Sequence, residues 1–305
     1  FSCLSEAAGI FPEREAFREL VARCSVRPRQ NKDGTWRLAL DQIKPPKRAD
    51  GSPRPFYIST WARLGLTPGM FYAAKLDPKA LREQVVDMAL KRGWMVAQFN
   101  RCEIARDDMS SGDSTLLKWA WTYHRAIDAL RQVEPRAGEI AITGHSRGGK
   151  TVLLAGATDT RIAAVGENCS GCCGAKLNHA NLEKSEHIAE IVRTFQYWFC
   201  WELTLWANRE REMPFDQHQF LALVAPRLLY VSSASEDAWA GQRGEFSSAV
   251  LASEAWRLYG KAGLVHHGFP RPEQPLHAGN VGYHLRSGMH DITAYDWQCY
   301  MDFAD

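Results

Sequence analysis

The run Glu139–Gly156, EIAITGHSRGGKTVLLAG, constrains the fold of this chain more than any other stretch. Ile140–Thr143 is short, apolar and rich in β-branched residues, which suits a buried strand. Thr151–Ala155 is apolar and suits a helix. Between them, Gly144-His145-Ser146-Arg147-Gly148 matches G-x-S-x-G, the sharp turn that lifts a serine hydroxyl out of a sheet edge. Glycine is needed because the turn is tight: a larger side chain at Gly144 or Gly148 would collide with the strand or helix it joins. The turn also sets the Arg147 N–H at a helix N-terminus, where developing negative charge is favoured. Lys150 lies four positions after Ser146 on the same helix face, so its cation can hold a substrate hydroxyl or carboxylate.

The rest of the chain supplies the frame. Apolar residues at helical spacing from Leu81 predict a helix ended by Gly93, followed by a buried strand over Trp94–Phe99. Thr115–Val133 reads as a helix with Ser114 as N-cap. After the serine turn come strands over Ile162–Gly166, Leu228–Val231 and Val281–Leu285, and helices over Gly244–Tyr259 and Ile292–Phe303. This alternation predicts an α/β fold with a mainly parallel central sheet and helices on both faces. Residues 170–225 interrupt it with helical stretches over Glu186–Phe195 and Trp198–Trp206 and no strand, which fits an insertion over the carboxyl edge of the sheet. Their aromatic side chains read chiefly as packing. Residues 1–55 are expected to wrap the single domain 1–305, with an amphipathic helix over Phe11–Arg23 and a hairpin formed by Thr35–Leu40 and Arg54–Thr60.

Size and composition narrow the function. The chain has 305 residues, 45% of them hydrophobic, enough for one large core. Its net charge of +2 gives no electrostatic reason to expect nucleic acid or an anionic membrane, and no apolar run is long enough to span a bilayer. A monomer is expected, secreted or periplasmic, with any leader removed. Of eight cysteines, Cys169, Cys172, Cys173 and Cys200 form the cluster to weigh. Zinc would want a second C-x-x-C or histidines at ligand spacing. A disulfide from Cys200 to Cys172 or Cys173 is expected, with buried thiols as the alternative, and no metal or cofactor is implied.

A serine alcohol needs a base, and the base needs a carboxylate to set its tautomer. In this fold the chain order is serine, acid, histidine. Among ten histidines, His290 follows the last strand in a glycine-containing loop before the closing helix. His145 adjoins Ser146, but its side chain should leave the turn in another direction. His218 sits at a helix start, and His266, His267 and His277 lie in an irregular loop. Three carboxylates compete for the acid: Asp237 and Glu236 beyond Leu228–Val231, and Glu167 at the end of the strand after the serine helix.

Gly144-x-Ser146-Arg147-x-Gly149-Lys150 resembles the nucleophile motif of the glucuronoyl esterases. The resemblance runs from about Gly93 to the C-terminus through Ser170-Gly171-Cys172-x-Gly174, Glu186, Phe195-x-x-Trp198-Phe199-Cys200 and Pro214-Phe215-Asp216-Gln217-His218. It continues through Ala225-Pro226-Arg227, Ser235-Glu236-Asp237-Ala238-Trp239-Ala240, Gly244-Glu245-Phe246 and Gly288-x-His290-Asp291 before Tyr295-Asp296-Trp297. It implies an α/β-hydrolase fold, a three-layer sandwich, and hydrolysis of glucuronic acid esters between xylan and lignin alcohols. Ser146 would be the nucleophile, His290 the base and Arg147 the oxyanion stabiliser, with Lys150, Glu186 and Trp239 holding the uronate sugar. Many members carry the catalytic glutamate directly before the Ser-Gly of the S-G-x-G-G segment, where this chain has Cys169. Others carry the acid in the E-D-x-W segment, which matches Asp237. Topology and resemblance thus converge on Asp237, with Glu167 in reserve. The alternatives are another carbohydrate esterase, such as an acetyl xylan esterase, or a hydrolase-like carbohydrate-binding protein that has lost catalysis.

Overall fold

The computed structural model describes residues 28–30, 36–38, 56–59 and 78–305, apart from 100, 134–138 and 181–183. Strands β1 (Pro28–Gln30) and β2 (Trp36–Leu38) pair only with each other, antiparallel. The main sheet contains β3 (Phe56–Ser59), β4 (Met95–Gln98), β5 (Ile140–His145), β6 (Ile162–Asn168), β7 (Leu228–Ala234) and β8 (Val281–Arg286). Its order is β4-β3-β5-β6-β7-β8, and every neighbouring pair is parallel.

The helices are α1 (Pro78–Lys91), α2 (Thr115–Val133), α3 (Arg147–Thr158), α4 (Ile188–Phe195), α5 (Gln217–Ala222), α6 (Gln242–Ala252), α7 (Glu254–Arg257) and α8 (Ala294–Ala304). Alternate strand residues show how they cover the sheet. Ile140, Ile142, Leu229 and Val231 pack into one apolar cluster with Tyr123 and Ile127 of α2, Val152 of α3 and Phe246 of α6. Ala141 and Tyr230, one residue out of step, pack into another with Val85 of α1 and Trp297 and Tyr300 of α8. Side chains alternate faces along a strand, so the sheet is covered on both sides. Each fully buried aliphatic side chain contributes roughly 1.5–3 kcal/mol to that sandwich. This is the expected α/β-hydrolase fold. Because the strands are parallel, the segments that follow β5, β6, β7 and β8 all leave the sheet at its carboxyl edge.

Several expectations need correction. Arg54–Thr60 does not form a hairpin with Thr35–Leu40: Phe56–Ser59 enters the main sheet between β4 and β5, while Trp36–Leu38 pairs with Pro28–Gln30. A run of Phe-Tyr-Ile suits an interior strand flanked on both sides better than a surface ribbon. The proposed Phe11–Arg23 helix and most of the segment 1–55 lie outside the described residues. Helix Gly244–Tyr259 is broken at Ser253 into α6 and α7. There the Ser253 hydroxyl donates to Ala249 O and accepts from Leu264 N. Trp198–Trp206 is not one helix but two 3-10 turns, Gln196–Trp198 and Trp201–Trp206. No disulfide joins the described cysteines: Cys172 is buried beside Cys173 and Asn178, whereas Cys200 is exposed. Between β6 and β7 the described residues contain no strand, as expected. Among the described residues no helix is long and apolar enough to cross a membrane.

Candidate active site

Ser146 sits between β5 and α3 with φ 58° and ψ −122°, a conformation that side-chain-bearing residues rarely adopt. Such backbone costs about 1–3 kcal/mol and is held only by its surroundings. Here the Ser146 N–H donates to Asn168 O at 2.8 Å, and its carbonyl accepts from Lys150 N at 3.1 Å. A Cβ on Gly144 would lie 2.3 Å from Gly148 O, so the turn closes only with glycine there. Gly148 is less restricted: its Cβ would meet the Arg101 guanidinium at 3.2 Å, not the strand. Gly149 is crowded from outside the turn: a Cβ there would lie 2.9 Å from Ser170 Cβ.

Three loops at the carboxyl edge meet at this serine. The Ser146 hydroxyl lies 2.9 Å from His290 Nε2, and His290 Nδ1 lies 2.5 Å from Asp237 Oδ2. Burial works against ionisation of Asp237. The His290 hydrogen bond and charge, with the Ala240 N–H, nevertheless hold it below its ordinary value. A carboxylate facing Nδ1 requires the proton on that nitrogen, which leaves the Nε2 lone pair to accept from Ser146. Neither rival carboxylate has this hydrogen bond. Glu236 is exposed. Glu167 is fully buried, accepts from Ser170 N at 3.1 Å, and is pushed up to about 7 chiefly by burial.

The loop bearing His290 is stapled from beneath. Buried Arg286, at the end of β8, donates to Ser287 O at 2.7 Å, Met289 O at 2.7 Å and Asp291 O at 2.9 Å, on both sides of the imidazole. Arg286 is ion-paired with Asp296 at 3.0 Å. Asp296 also accepts from Thr293 N at 2.7 Å, His284 Nε2 at 2.9 Å and Asn168 Nδ2 at 3.0 Å. His145 is closer to the centre than its position in the turn suggests. Its Nδ1 donates to Asn168 Oδ1 at 2.5 Å and its ring centroid lies 4.6 Å from that of His290. Burial, then the His290 charge, lowers its pKa to about 3, so it packs as a neutral ring.

Arg147 occupies the first position of α3, where backbone N–H groups point out of the helix. Its guanidinium is ion-paired with Asp107 and lies over the rings of Trp198, at 4.7 Å, and Phe195, at 5.4 Å. Asp107 also accepts from Trp198 Nε1 at 2.8 Å and Tyr197 OH at 3.1 Å. Nothing in the sequence marks this residue, which lies 40 positions upstream in an irregular segment. Lys150 is buried and its Nζ donates to Ser170 O. Glu186 and Trp239 meet through the backbone: Glu186 N donates to Trp239 O at 2.9 Å. Burial raises the Glu186 pKa against the pull of Lys150, the Trp239 side chain and Lys176. Lys176, absent from the sequence reading, is buried and donates to Glu186 O at 2.6 Å. Trp239 keeps 55% of its surface exposed, and a flat apolar ring beside charged and polar groups suits a sugar.

The family model described as glucuronyl esterase, fungi, matches residues 86–260. A carbohydrate esterase from an unknown prokaryotic organism is 41% identical over 192 residues, 63% of this chain and 44% of that protein. A 4-O-methyl-glucuronoyl methylesterase from Podospora anserina is 29% identical over 187 residues, 54% of this chain and 38% of that protein. The chain therefore spans less than half the length of either curated relative. Among solved structures, the glucuronoyl esterase from Solibacter usitatus is 31% identical, with a TM-score of 0.70 over 84% of this chain and 74% of that one. The matched stretch takes in the strained serine turn, the Asp237 loop and the Glu186–Trp239 contact, and on it the chain belongs to the glucuronoyl esterase family.

Proposed function

We propose that the protein is a serine esterase that hydrolyses esters of glucuronic acid or its 4-O-methyl ether, as in linkages between glucuronoxylan and lignin. The observation that carries this reading is the continuous array from Ser146 through His290 to Asp237, with Glu186 bonded to the backbone of Trp239, two residues beyond the acid. Ser146 attacks the uronoyl carbonyl while His290 Nε2 takes its proton, and Asp237 holds the resulting imidazolium. The Arg147 N–H and guanidinium stabilise the tetrahedral oxyanion. The leaving alcohol takes the proton from His290, and water, activated by the same imidazole, releases glucuronate from Ser146. Lys150, Glu186 and Trp239 orient the sugar ring. The polymeric substrate places this work outside the cell. The curated relatives named as 4-O-methyl-glucuronoyl methylesterases support the substrate class.

The test compares a methyl glucuronate ester, acetylated xylan and a simple acyl ester, each with wild type and Ser146→Ala. Hydrolysis favouring the glucuronate ester and lost in the variant is expected. A preference for acetylated xylan would replace the substrate assignment, and turnover that survives Ser146→Ala would remove the mechanism. Lys150→Ala should weaken turnover of the glucuronate ester more than of the simple ester. Equal losses would make Lys150 a structural residue.

A further inference from the structure

A thiol that the proposed reaction does not use lies beside its histidine and acid. Cys169 follows β6 directly, is buried, and has a left-handed backbone with φ 47°. Its N–H is tied to Ser232 O of the next strand at 2.8 Å. One donor atom from each of Cys169, Asp237 and His290 lies within 4.8 Å of those of the other two. Sulfur, carboxylate oxygen and imidazole nitrogen together are a donor set for a borderline-soft divalent cation. With metal–ligand bonds of roughly 2.0–2.3 Å, the ligand atoms of a tetrahedral site lie about 3.3–3.8 Å apart. The thiol therefore has to close on the other two groups by about 1.5 Å at most, while the imidazole and the carboxylate, 2.5 Å apart, open by about 1 Å to admit the ion. The thiol and the carboxylate leave adjacent paired strands, β6 and β7, which fixes their spacing. The imidazole is on a loop and is 44% exposed, so it offers both the adjustment and the way in.

We propose that Cys169, Asp237 and His290 form a binding site for Zn2+ or a similar thiophilic cation, and that occupancy switches the esterase off. The regulatory half rests on the mechanism proposed above. Three protein ligands leave a fourth position for water, on the exposed side of His290. As the metal–sulfur bond forms, the thiol proton leaves to solvent. His290 Nδ1 turns its lone pair to the ion in place of its hydrogen bond to Asp237, and the imidazole proton moves to Nε2. The Nε2–H now faces Ser146 and has no lone pair to accept the serine proton, so attack stops. Removing the ion reverses each step, one proton returning to sulfur. Without metal the thiol stays neutral, because burial, then the negative charge of Asp237 and Glu245, holds its pKa well above the ordinary value.

Two measurements test this, one of them independent of substrate. Titration of the full chain with Co2+ should give a thiolate-to-cobalt charge-transfer band at one ion per chain. Cys169→Ser and Cys169→Ala should abolish that band, and Cys200→Ser should keep it. Buffered Zn2+ should inhibit hydrolysis of the glucuronate ester reversibly, chelator restoring the rate. Losing an outer-shell partner already weakens metal sites about 10–100-fold, so loss of the sulfur ligand should raise the inhibiting Zn2+ concentration about tenfold or more. Each variant is compared with its own metal-free rate. A cobalt band that survives in both Cys169 variants, or Zn2+ inhibition of equal strength in them, overturns the site. So does a wild type indifferent to both ions. A chain that turns over no ester but gives the Cys169-dependent band would retain the metal site and lose the mechanism and its switch.

Discussion

Asp237 illustrates how one carboxylate is selected at the level of a residue. Glu236 and Asp237 are neighbours in the turn that follows β7, and only Asp237 faces His290. Asp237 is turned inward, its backbone N–H bonded to Ala234 O at 3.1 Å, while Glu236 is exposed. Asp237→Asn should therefore lower kcat by about three to four orders of magnitude, since a mis-set tautomer alone costs about 10⁴ in a serine protease triad. Glu236→Gln and Glu167→Gln should leave most of the rate, with all three variants folded by circular dichroism. A damaging Glu167→Gln alongside a tolerated Asp237→Asn would move the acid to the end of β6. Ser146→Ala and His290→Ala should each remove about 10⁴-fold or more, and the double variant should be scarcely worse, because the groups act as one unit. Losses that multiply would place one of them outside it.

Among the elements, the carboxyl-edge segments position what the strands deliver. The segment carrying Asp107 meets the start of α3 and the aromatic turn after α4 at one carboxylate, shared by Arg147, Trp198 and Tyr197. Removing one oxyanion donor from a serine protease costs about 10²–10³ in kcat, and displacing one should cost less. Asp107→Ala should lower kcat about ten- to a hundredfold on the proposed substrate with KM little changed, the sign of a contact made in the transition state. A change confined to KM would show that Asp107 shapes the binding surface and not the reacting centre. Arg286 plays the corresponding part for the imidazole, its three bonds to carbonyls fixing the loop between β8 and α8.

At the scale of the whole molecule, two buried carboxyls tie stability to pH. Glu167 and Glu245 are both fully buried. Glu245 accepts from Gly171 N at 2.8 Å and Ser233 Oγ at 2.6 Å. Burial raises both pKa values, and the charge of Glu167 raises that of Glu245 further. The unfolded Glu167 releases its proton near 4.5 and the folded one near about 7, so between these values the native state holds more protons. Stability from this group is complete below 4.5 and is lost as pH rises through about 7. Melting curves across that window should show wild type losing ground to Glu167→Gln, which keeps an acceptor for Ser170 N–H. Parallel curves would mean that Glu167 is ionised throughout.

The α/β frame and most of the central array were legible in the sequence because they rest on local chemistry. Ile140–Thr143 and Leu228–Val231 declare buried strands by composition, G-x-S-x-G declares the turn, and parallel topology sends residues after strand ends to a common edge. That reasoning was enough to bring Ser146, His290 and Asp237 under consideration together. Tertiary structure decided what depends on distance across the fold. It drew Phe56–Ser59 into the sheet, because a three-residue apolar run does not reveal which partner will cover it. It left Cys200 exposed and unbonded to Cys172 or Cys173, since spacing along the chain does not decide which thiols pair. It joined Asp107 to Arg147 and Arg286 to the His290 loop, contacts with no periodicity or motif to announce them. It also set Cys169 beside His290 and Asp237, since three segments far apart in sequence end at one sheet edge and only their packing brings a thiol, an imidazole and a carboxylate within a few ångströms.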